Sequence, residues 1–501
     1  MSDAKSPYIL ALDVGTSSTR ALLFDANGRA IPALVSQSTY KLDTSSAGQV
    51  SVDADTLVKL VAQTIDDVLK KAGKLTQEIA AVAIDTFWHS LLGVDANGKP
   101  VTPVITWEDT RAFAAAHELR QELDEQKVHD RTGVRFHASY WPAKLRYLKK
   151  EQPEVFAQAR QWISFGEYLH RTVLGHSVCS VSMASATGML TRQTLQWDEE
   201  LMHVLSVRRE QLSDIGDMHD SLKGLQGEYV TRWPALKDVP WFPALGDGAS
   251  ACIGSSCINK QNWSLTMGTS SAMRVVTPYD ELETLPLGLW LYFVDKQRAV
   301  IGGAMSEGGN LLAWLDNTLK VGSLQEMEPQ IAKLAPDEHG LTMLPFISGE
   351  RSLGWHAEAR MTVSGLSIHT EPADILAAGM EALGYRLAAI HEELCKALHA
   401  DTSDHRLMAS GGALFHSQTL QHIIADTTDV AIYPSKEQEA SARGAALLAL
   451  EALQIIPDLS KLEPEIGDPV RPDNKRGDIY RKAALRQRDL YQRLLGDDIA
   501  K

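Results

Sequence analysis

Apolar and polar positions near the start of the chain alternate in short blocks that are separated by turn residues. Residues 8–12 are apolar, a polar stretch follows at 15–19, and a second apolar block at 21–24 runs into an Asn-Gly pair at 27–28. This pattern is typical of two strands joined by a tight turn and followed by a hairpin. A similar block recurs at 81–98, and both blocks end in Asp-Ala-Asn-Gly. The pattern predicts a sheet whose strands are joined by short polar turns.

Several longer stretches carry apolar residues at helical spacing instead. Between the two strand blocks, residues 56–71 show this period, and it returns at 374–398 and, with many Ala and Gly residues, at 435–453. Helices that alternate with strands predict an α/β sheet of mixed direction. Residues 111–240 are polar and mostly helical in pattern. The charged, Pro-punctuated residues 457–501 are expected to form a linker and a final surface helix without chemistry.

One loop sequence occurs twice, about half a chain apart. Gly-Thr-Ser-Ser stands at 15–18 and again at 268–271, each time after an apolar stretch and shortly before a basic residue, Arg20 or Arg274. Two copies of one supersecondary unit indicate two related domains that face each other.

Composition excludes several functional classes. The 501 residues suffice for two large domains or three smaller ones, and a net charge of −15 disfavours general binding to nucleic acid or anionic membranes. No apolar run approaches the ~20 residues that span a bilayer, and the acidic start of the chain does not resemble a signal peptide. Four cysteines, interpreted as free thiols, are too few for a disulfide framework, and no Cys/His cluster completes a zinc site. A cytoplasmic protein is expected.

The first copy of the repeated loop has the chemistry of a phosphate site. Gly15 permits a tight turn whose backbone N–H groups converge on an anion, and the hydroxyls of Thr16 and Ser17 add donors, with Arg20 as a candidate charge. Asp13 at its mouth suits hydrated Mg²⁺, which takes one or two carboxylates. An ordinary polar hairpin is the alternative for one such loop. The second copy, with Gly268 and Thr269, favours phosphate binding.

Asp247 stands in a turn of small residues, which would let a substrate approach closely. The Ala/Ser run that follows is able to begin a helix, whose dipole keeps a carboxylate ionised and able to take a proton from an attacking hydroxyl. The alternative is that Asp247 only caps a helix. The same segment fits the pattern G-x-G-x-x-A, but no clear strand precedes it and it lacks the acidic residue about 20 positions further on, so a dinucleotide site is rejected. The near-match to a P-loop at 93–99 is rejected because Pro100 replaces the required Ser or Thr.

Two further clusters are candidates for ligand contact. Trp88 with His89, and Asp109 with Arg111, are able to clasp a polyhydroxylated ligand through an aromatic face and hydrogen bonds, or else are core aromatics and a surface ion pair. The Ser-Gly-Gly sequence at 410–412 could admit a flat base against the backbone, or form an ordinary strand-to-helix turn.

Taken together and in this order, these segments resemble the FGGY family of carbohydrate kinases, within the superfamily of actin, hexokinase and heat-shock chaperone ATPases. The resemblance covers residues 7 to 455 and includes the two phosphate loops, the catalytic turn at 246–247 and the adenosine motif at 410–412. Residues 139–147 and 365–381 are close to two further family signatures. Trp141 and Tyr147 depart from the first, and Gly379 departs from the second.

The resemblance implies two ribonuclease H-like (actin-like ATPase) domains with an interdomain cleft: a sugar-binding domain at 1–248, an ATP-binding domain at 249–455 and a charged extension at 456–501. It implies ATP and Mg²⁺ as cofactors, no membrane or nucleic-acid partner, and a possible homodimer. The roles that it implies for single residues are Asp247 as general base, Asp13 and Asp247 near Mg²⁺, Thr16, Ser17, Arg20, Gly268 and Thr269 at the phosphates, Gly411 and Gly412 by adenine, and Trp88, His89, Asp109, Arg111 and Asp247 at the sugar.

Within the family the sequence is most similar to gluconokinases, on the residues at 89–92, 105–109 and 302–309. It departs at Trp88, where Met is usual, and at Glu307, where Asn is usual. A charged Glu307 in the pocket would oppose a gluconate carboxylate. Gluconate, a ketose such as xylulose, and related sugar acids or polyols therefore stay open as substrates. A sugar-independent ATPase or a regulatory nucleotide-binding protein on the same fold is the alternative function.

Overall fold

A computed structural model, which describes residues 4–320 and 324–496, divides into two compact units. The first comprises Met1–Ser256, Leu291–Val300 and Glu439–Glu463, and the second comprises Cys257–Trp290, Ile301–Gln438 and Pro464–Lys501. Residues 1–3, at the start of the expected sugar-binding domain, and residues 497–501, at the end of the expected charged extension, lie outside the described residues.

The described strands vary from two to ten residues in length. In chain order they are β1 (Tyr8–Val14), β2 (Ser18–Phe24), β3 (Ala30–Thr39), β4 (Asp43–Thr44), β5 (Val50–Val52), β6 (Ile79–Thr86), β7 (Leu92–Val94), β8 (Val104–Ile105), β9 (Gln161–Ile163), β10 (Cys179–Ser180), β11 (Leu190–Thr191), β12 (Gln196–Trp197), β13 (Ile215–Gly216), β14 (Leu245–Gly246), β15 (Asn262–Met267), β16 (Ser271–Pro278), β17 (Trp290–Phe293), β18 (Arg298–Met305), β19 (Thr342–Leu344), β20 (Thr362–Ser364), β21 (Arg406–Ser410) and β22 (Ile432–Pro434).

The described helices connect and cover these strands. They are α1 (Ala54–Ala72), α2 (Phe113–Glu122), α3 (Glu125–Thr132), α4 (Trp141–Glu151), α5 (Pro153–Gln158), α6 (Phe165–Leu174), α7 (Val181–Ser185), α8 (Glu199–Leu205), α9 (Tyr229–Arg232), α10 (Asp247–Gly254), α11 (Gly309–Leu319), α12 (Leu324–Ile331), α13 (Pro372–Leu398), α14 (Gly412–Phe415), α15 (Gln418–Thr428), α16 (Ala440–Ala452) and α17 (Asn474–Leu495).

The first unit is built on a five-stranded sheet in the order β14-β6-β1-β2-β3. β1 and β2 are antiparallel, as are β2 and β3, whereas β6 and β14 run parallel to β1. Helix α1 is held at its start by Asp53, whose side chain accepts a hydrogen bond from the N–H of Thr56 (2.8 Å), and its apolar residues are buried in the core of this unit. The helix predicted at 56–71 and the mixed sheet are therefore confirmed.

The second unit repeats this arrangement. The six-stranded sheet has the order β17-β18-β16-β15-β21-β22, with β15 and β16 antiparallel and β21 and β22 parallel to β15. Strands β15, β16, β21 and β22 belong wholly to the second unit, whereas residues 291–293 of β17 and 298–300 of β18 are grouped with the first. The order β18-β16-β15-β21-β22 corresponds strand by strand to β3-β2-β1-β6-β14. The loops that carry the repeated Gly-Thr-Ser-Ser sequence thus join equivalent strands, and the prediction of two related domains is confirmed.

Two glycines allow α10 and α16 of the first unit to approach closely. A Cβ on Gly444 would lie 1.8 Å from the carbonyl oxygen of Ser250, and a Cβ on Gly254 would lie 1.8 Å from that of Ala440. The Arg443 side chain donates to the carbonyl oxygens of Gly28 (3.0 Å) and of Gly254. This contact fixes the helix that begins at Asp247.

The last helix is more than a surface element. The predicted final helix is present as α17, but it buries a stripe that includes Tyr480, Ala483, Gln487 and Tyr491. These positions follow one another at three- and four-residue steps, a spacing that the many charged neighbours concealed in the sequence. No helix among residues 4–320 and 324–496 is long and apolar enough to cross a membrane.

Candidate active site

The first phosphate-loop candidate is a tight turn between β1 and β2. The N–H of Gly15 donates a hydrogen bond to the carbonyl oxygen of Ser18 (3.0 Å). Tyr40 stabilises the turn with two further hydrogen bonds: its hydroxyl donates to the carbonyl oxygen of Gly15, and its N–H donates to the carbonyl oxygen of Ser17 (3.0 Å). Thr16 is partly exposed and Ser17 is exposed. The turn is therefore rigid while its hydroxyls stay accessible to a ligand.

Arg20 forms an ion pair with Glu439, at 2.7 Å between Nη1 and Oε2. About a third of its side chain stays exposed (32%). Part of its charge is thus compensated within the first unit, and its charge also acts on the neighbouring carboxyl of Asp13.

Three carboxyl groups meet at the carboxyl ends of parallel strands in the first unit. Asp13 on β1 is the register partner of Asp85 on β6, and Asp85 is in turn the partner of Leu245 on β14, two residues before Asp247. The pKa of Asp13 is raised to about 6. Burial is the main cause of the increase and the charge of Asp247 adds to it, whereas the charge of Arg20 opposes it. Burial and the charges of Asp13 and Asp247 also raise the pKa of Asp85 well above its usual range.

This concentration of negative charge fits a divalent cation. Carboxylates that repel one another in a partly buried site are stabilised when a hydrated Mg²⁺ ion shares their charge. Asp13 and Asp247 are the carboxylates that would hold the ion, with Asp85 behind them in the sheet.

Asp247 is the first residue of α10, and Gly246 occupies the N-cap position without a side-chain capping bond. The Oδ1 atom of Asp247 accepts a hydrogen bond from the N–H of Gly248 (2.8 Å). The helix expected after this turn is present, and its N-terminal end lies at the carboxylate. Asp247 is not the N-cap residue, which was the alternative interpretation of the sequence.

The indole ring of Trp88 covers the turn that contains Asp247. A Cβ on Gly246 would lie 1.6 Å from Trp88 Nε1, and one on Gly248 would lie 2.3 Å from Trp88 Cζ3. Only glycines on both sides of Asp247 leave room for the ring. The larger side chain at position 88 thus shapes the site directly beside the candidate base.

His89 sits in an aromatic cluster with a fixed tautomer. Its Nδ1 lies 2.5 Å from the carbonyl oxygen of Ala186, so Nδ1 carries the proton and Nε2 of a neutral ring is an acceptor. Its ring packs edge-on against Tyr140, whose hydroxyl is hydrogen-bonded to that of Tyr292 (2.7 Å). Tyr292 also packs against Trp88, with ring centroids 4.8 Å apart. The cluster holds two candidate sugar-contacting residues in one wall.

Lys144 braces the same wall from behind. Its Nζ donates to the carbonyl oxygen of His89 (2.7 Å), and His89 has a positive φ of 65° that this contact helps to hold. Burial lowers the pKa of Lys144 to about 7, against the charge of Asp109, which raises it.

Asp109 and Arg111 form an ion pair in which Asp109 is buried and Arg111 is partly buried. Arg111 donates from Nε (3.0 Å) and Nη2 (2.7 Å) to the two carboxylate oxygens, and the N–H of Val50 donates to Oδ2 (3.0 Å). The chain's own donors thus occupy both oxygens of Asp109. In this arrangement Asp109 orients Arg111, whose guanidinium also lies over the ring of Tyr147 (5.5 Å).

The second phosphate-loop candidate belongs to the second unit and joins β15 to β16. The N–H of Gly268 donates to the carbonyl oxygen of Ser270 (3.0 Å). The N–H groups of Gly309 and Asn310, at the start of α11, donate to the carbonyl oxygens of Gly268 (2.8 Å) and Thr269 (3.1 Å). A Cβ on Gly268 would meet nothing within 4 Å. The loop is thus fixed by a helix start, and open space lies above Gly268.

A cavity of 640 Å³ opens beside this loop in the second unit, at the end of β21. Gly411 forms its edge with φ of 95°, and a Cβ there would lie 2.4 Å from the carbonyl oxygen of Met267. Gly412 faces open space, and Phe415 is 71% exposed along the wall. The close backbone approach and the exposed ring fit a flat aromatic base.

Glu307, the residue that departs from the gluconokinase pattern, is buried in the second unit (1% exposed). Its Oε1 accepts a hydrogen bond from the N–H of Ser348 (3.0 Å). The pKa of Glu307 is raised to about 7. Burial is the main cause of the increase and the charge of Glu350 adds to it, whereas the hydrogen bond from Ser348 opposes it. Near neutral pH this carboxyl is therefore partly protonated and shielded.

Sequence reasoning missed Asp85, Lys144 and the pair Tyr140 and Tyr292 at this site. The signal for Asp85 was the carboxyl at the end of the second strand block, since equivalent ends of parallel strands meet at one sheet edge. The tyrosines carried no signal, because Tyr292 stands about 150 residues from Tyr140 and only the fold brings them together.

Two sheets that share a corresponding five-strand order, each with a Gly-Thr-Ser-Ser turn, define an actin-like ATPase fold of two domains. Residues 8–254 match the N-terminal domain and residues 263–453 the C-terminal domain of the FGGY family of carbohydrate kinases. The chain belongs to this family and is a phosphotransferase that acts on carbohydrates.

Named relatives span nearly the whole chain. A gluconokinase of Bacillus subtilis is 26% identical over 477 residues, which cover 93% of this chain and 91% of the relative. Solved structures of a ligand-bound xylulose kinase and of a gluconate kinase, both from Lactobacillus acidophilus, superimpose with TM-scores of 0.89 and 0.88. Each is 28% identical to this chain, and each comparison covers 98% of this chain and 99% of the other.

Proposed function

We propose that this carbohydrate kinase transfers the γ-phosphate of ATP to a hydroxyl of a small open-chain sugar, with gluconate as the first candidate acceptor. The observation that carries the proposal is the wall of Trp88 and His89 beside Asp247, where an aromatic face and a hydrogen-bond acceptor border a candidate base. Aromatic faces pack against the C–H groups of sugars, and buried polar groups select their hydroxyls.

Asp247 takes the proton of the acceptor hydroxyl as its oxygen attacks the γ-phosphorus, and ADP leaves with the bridging oxygen. Thr16, Ser17 and Arg20 hold the transferred phosphate, and Gly268 and Thr269 hold the phosphates that remain in ADP. Asp13 and Asp247 are the residues that would hold Mg²⁺, which would supply positive charge to offset that of the phosphates. Phosphoryl transfer of this kind depends on positioning and charge stabilisation.

Adenine is assigned to the cavity of the second unit. Gly411 and Gly412 let the base approach the backbone, and Phe415 offers an exposed ring to it. A cavity of 640 Å³ lies within the range of about 300–1,000 Å³ that is typical of small-molecule sites.

Gluconate is placed before the ketoses for two reasons. Gluconokinases are among the relatives that match almost the full chain. A charged Glu307 would repel the carboxylate of gluconate. Its carboxyl group is instead buried, accepts a hydrogen bond from the N–H of Ser348 and is partly neutral near pH 7, so this repulsion is weakened. A ketose such as xylulose is the second candidate, supported by the xylulose kinase structure from Lactobacillus acidophilus.

The test is release of ADP from Mg-ATP across a panel of aldonates, ketoses and polyols, with a reaction that contains no sugar as the control. We expect gluconate to raise ADP release well above that control, with phosphogluconate as the product. A larger rate with xylulose would favour the second candidate. Equal ADP release with every sugar and without sugar would contradict the proposal and favour a sugar-independent ATPase.

The expected cytoplasmic location, the possible homodimer and the domain boundaries at 248 and 455 stay predictions.

A further inference from the structure

Three potential soft-metal ligands converge at the far end of α13 in the second unit, although the sequence alone indicated no Cys/His zinc site. His391 and Cys395 are one turn apart on this helix, and His405 precedes β21. The Nε2 atoms of the two histidines lie 2.7 Å apart, and Cys395 Sγ lies 3.6 Å from His391 Nε2. One ligand atom from each residue lies within 4.8 Å of the others. None of the three residues takes part in the proposed phosphoryl transfer.

The spacing is close to that of a tetrahedral site. With metal–sulfur and metal–nitrogen bonds of about 2.3 and 2.0–2.1 Å, tetrahedral angles place sulfur about 3.6 Å from nitrogen and two nitrogens about 3.3 Å apart. The Sγ–Nε2 distance already agrees with this value. The two imidazole rings need to separate by only about 0.6 Å, within the reach of small side-chain rotations.

The surroundings hold the ligands in place and favour a cation. Trp263 stacks on His405, with ring centroids 3.7 Å apart and an angle of 9° between the planes. Both histidines are buried, whereas Cys395 is partly exposed and leaves a path for an ion. Asp401 and Asp404 lie near enough for their charges to act on the Cys395 thiol. Their negative charge would attract a cation and offset its own charge.

A second cluster, Asp337, His339 and Glu381, lacks these properties. Asp337 is paired with Arg486 (2.5 Å), and Glu381 accepts a hydrogen bond from the hydroxyl of Tyr385 (2.7 Å). That cluster is an ion-pair network of oxygen-rich groups, so it offers no comparable soft-metal site.

We propose that His391 Nε2, Cys395 Sγ and His405 Nε2 bind a divalent zinc-class cation, with water or a nearby carboxylate in the fourth position. Nitrogen and thiolate ligands prefer Zn²⁺ over Mg²⁺, which prefers oxygen. Binding releases the thiol proton of Cys395 to solvent, and the imidazole that carries its proton on Nε2 shifts it to Nδ1. No redox step is involved.

Such a site would connect the end of α13 to the start of β21. The other end of β21 carries Ser410, which leads directly into Gly411 and Gly412 at the candidate adenine cavity. A cation at this position would therefore stabilise the strand that supports the cavity, about five residues from it. Its role is structural, and its binding does not depend on the proposed sugar substrate.

The test uses the full chain, purified without a histidine tag, stripped with a chelator and titrated with Co²⁺ and then Zn²⁺. Co²⁺ is the probe because a thiolate ligand gives it a sulfur-to-metal charge-transfer band. We expect one equivalent of Co²⁺ per chain with this band, its displacement by Zn²⁺, and a higher melting temperature with Zn²⁺ bound.

Cys395→Ser is the test variant, and Cys257→Ser is the matched control because Cys257 is a buried cysteine outside the cluster. We expect Cys395→Ser to lose the charge-transfer band and to weaken Zn²⁺ binding more than about 100-fold, since even loss of an outer hydrogen-bond partner costs 10–100-fold. The control should keep both. Failure of the wild-type chain to bind Co²⁺, or an unchanged band in Cys395→Ser, would overturn the proposal and leave a trio joined only by hydrogen bonds.

Discussion

The position of Trp88 at the candidate site depends on two neighbouring glycines that have no side chain. Gly246 and Gly248 have no side chain, so the indole of Trp88 lies against the backbone on both sides of Asp247. Trp88 and the two glycines are visible in the sequence, but their contact is not, because 158 positions separate Trp88 from Gly246 along the chain. Motifs in the sequence therefore indicate candidate residues, whereas the packing of those residues follows only from the fold.

The aspartates of the candidate site also show that sequence motifs do not reveal which side chains lie close together. The sequence indicates Asp13 by its place beside the first phosphate loop and Asp247 by the turn of small residues around it. Asp85 carried no motif, and its position became evident only from the strand register that sets it beside Asp13. Asp109, a predicted sugar contact, accepts hydrogen bonds from Arg111 and from the backbone N–H of Val50. Sequence alone does not reveal whether a carboxylate is already paired.

Glu307 leads to a prediction on pH dependence. Burial raises its pKa from 4.5 to about 7, so the folded protein holds a proton that the unfolded chain has released between these values. The free energy of unfolding therefore falls as pH rises from about 4.5 to about 7, by up to about 3 kcal/mol from this group. Glu307→Gln keeps an acceptor for the Ser348 N–H and removes the titration.

The measurement is the melting temperature of the wild type and of Glu307→Gln between pH 5 and pH 8. We expect the variant to gain stability relative to the wild type as pH rises through this range. A difference between the two proteins that stays constant with pH would show that Glu307 does not titrate as described.

At the scale of elements, long periodic segments were predictable and very short ones were not. The helices at 54–72 and 372–398 follow from apolar spacing over several turns. No strand was expected before Asp247, yet β14 (Leu245–Gly246) joins the edge of the first unit's sheet. Two residues are too few to show a period, so only pairing with β6 identifies this strand.

The close contact between α10 and α16 gives a prediction for Gly444→Ala. The added methyl group would meet the carbonyl of Ser250 at 1.8 Å, so the helices have to separate. We expect a loss of about 1–3 kcal/mol in stability, which is typical of overpacking, and a lower kcat because α10 carries Asp247 at its start. Thermal unfolding and steady-state kinetics measure the two effects.

Ser441→Ala, on the same helix, is the control because it adds no volume. It should leave both the melting temperature and kcat close to those of the wild type. Wild-type stability and turnover in Gly444→Ala would contradict the inference that this helix contact positions Asp247.

At the scale of the whole molecule, the duplication was the most predictable feature. The repeated Gly-Thr-Ser-Ser loop predicted two related domains, and two sheets with corresponding strand orders confirm them. The assignment of chain segments to the units was harder to foresee, because residues 291–300 and 439–463 belong to the first unit although they follow parts of the second. Segments that return to an earlier unit leave no periodic signal.

Because the two candidate binding sites lie in different units, we expect substitutions in each unit to change the KM of a different substrate. Phe415→Ala removes an exposed ring from the cavity of the second unit, so we expect KM for ATP to rise by about tenfold with KM for the sugar unchanged. Trp88→Ala removes the aromatic wall of the first unit and should raise KM for the sugar instead. Initial rates with each substrate varied separately measure both constants. Equal effects of both variants on both constants would contradict the assignment of the two sites.

The central claim is that Asp247 acts as the base in phosphoryl transfer, and the most direct test compares transfer with ATP binding in Asp247→Asn. General-base catalysis contributes about 10²–10⁴-fold, so we expect kcat for the sugar that serves as acceptor to fall by that factor. The dissociation constant for ATP, measured by calorimetry without Mg²⁺ because Asp247 is also a candidate ligand of that ion, should change little, since the adenine cavity is in the second unit. A variant that binds ATP and transfers phosphate at the wild-type rate would contradict the claim.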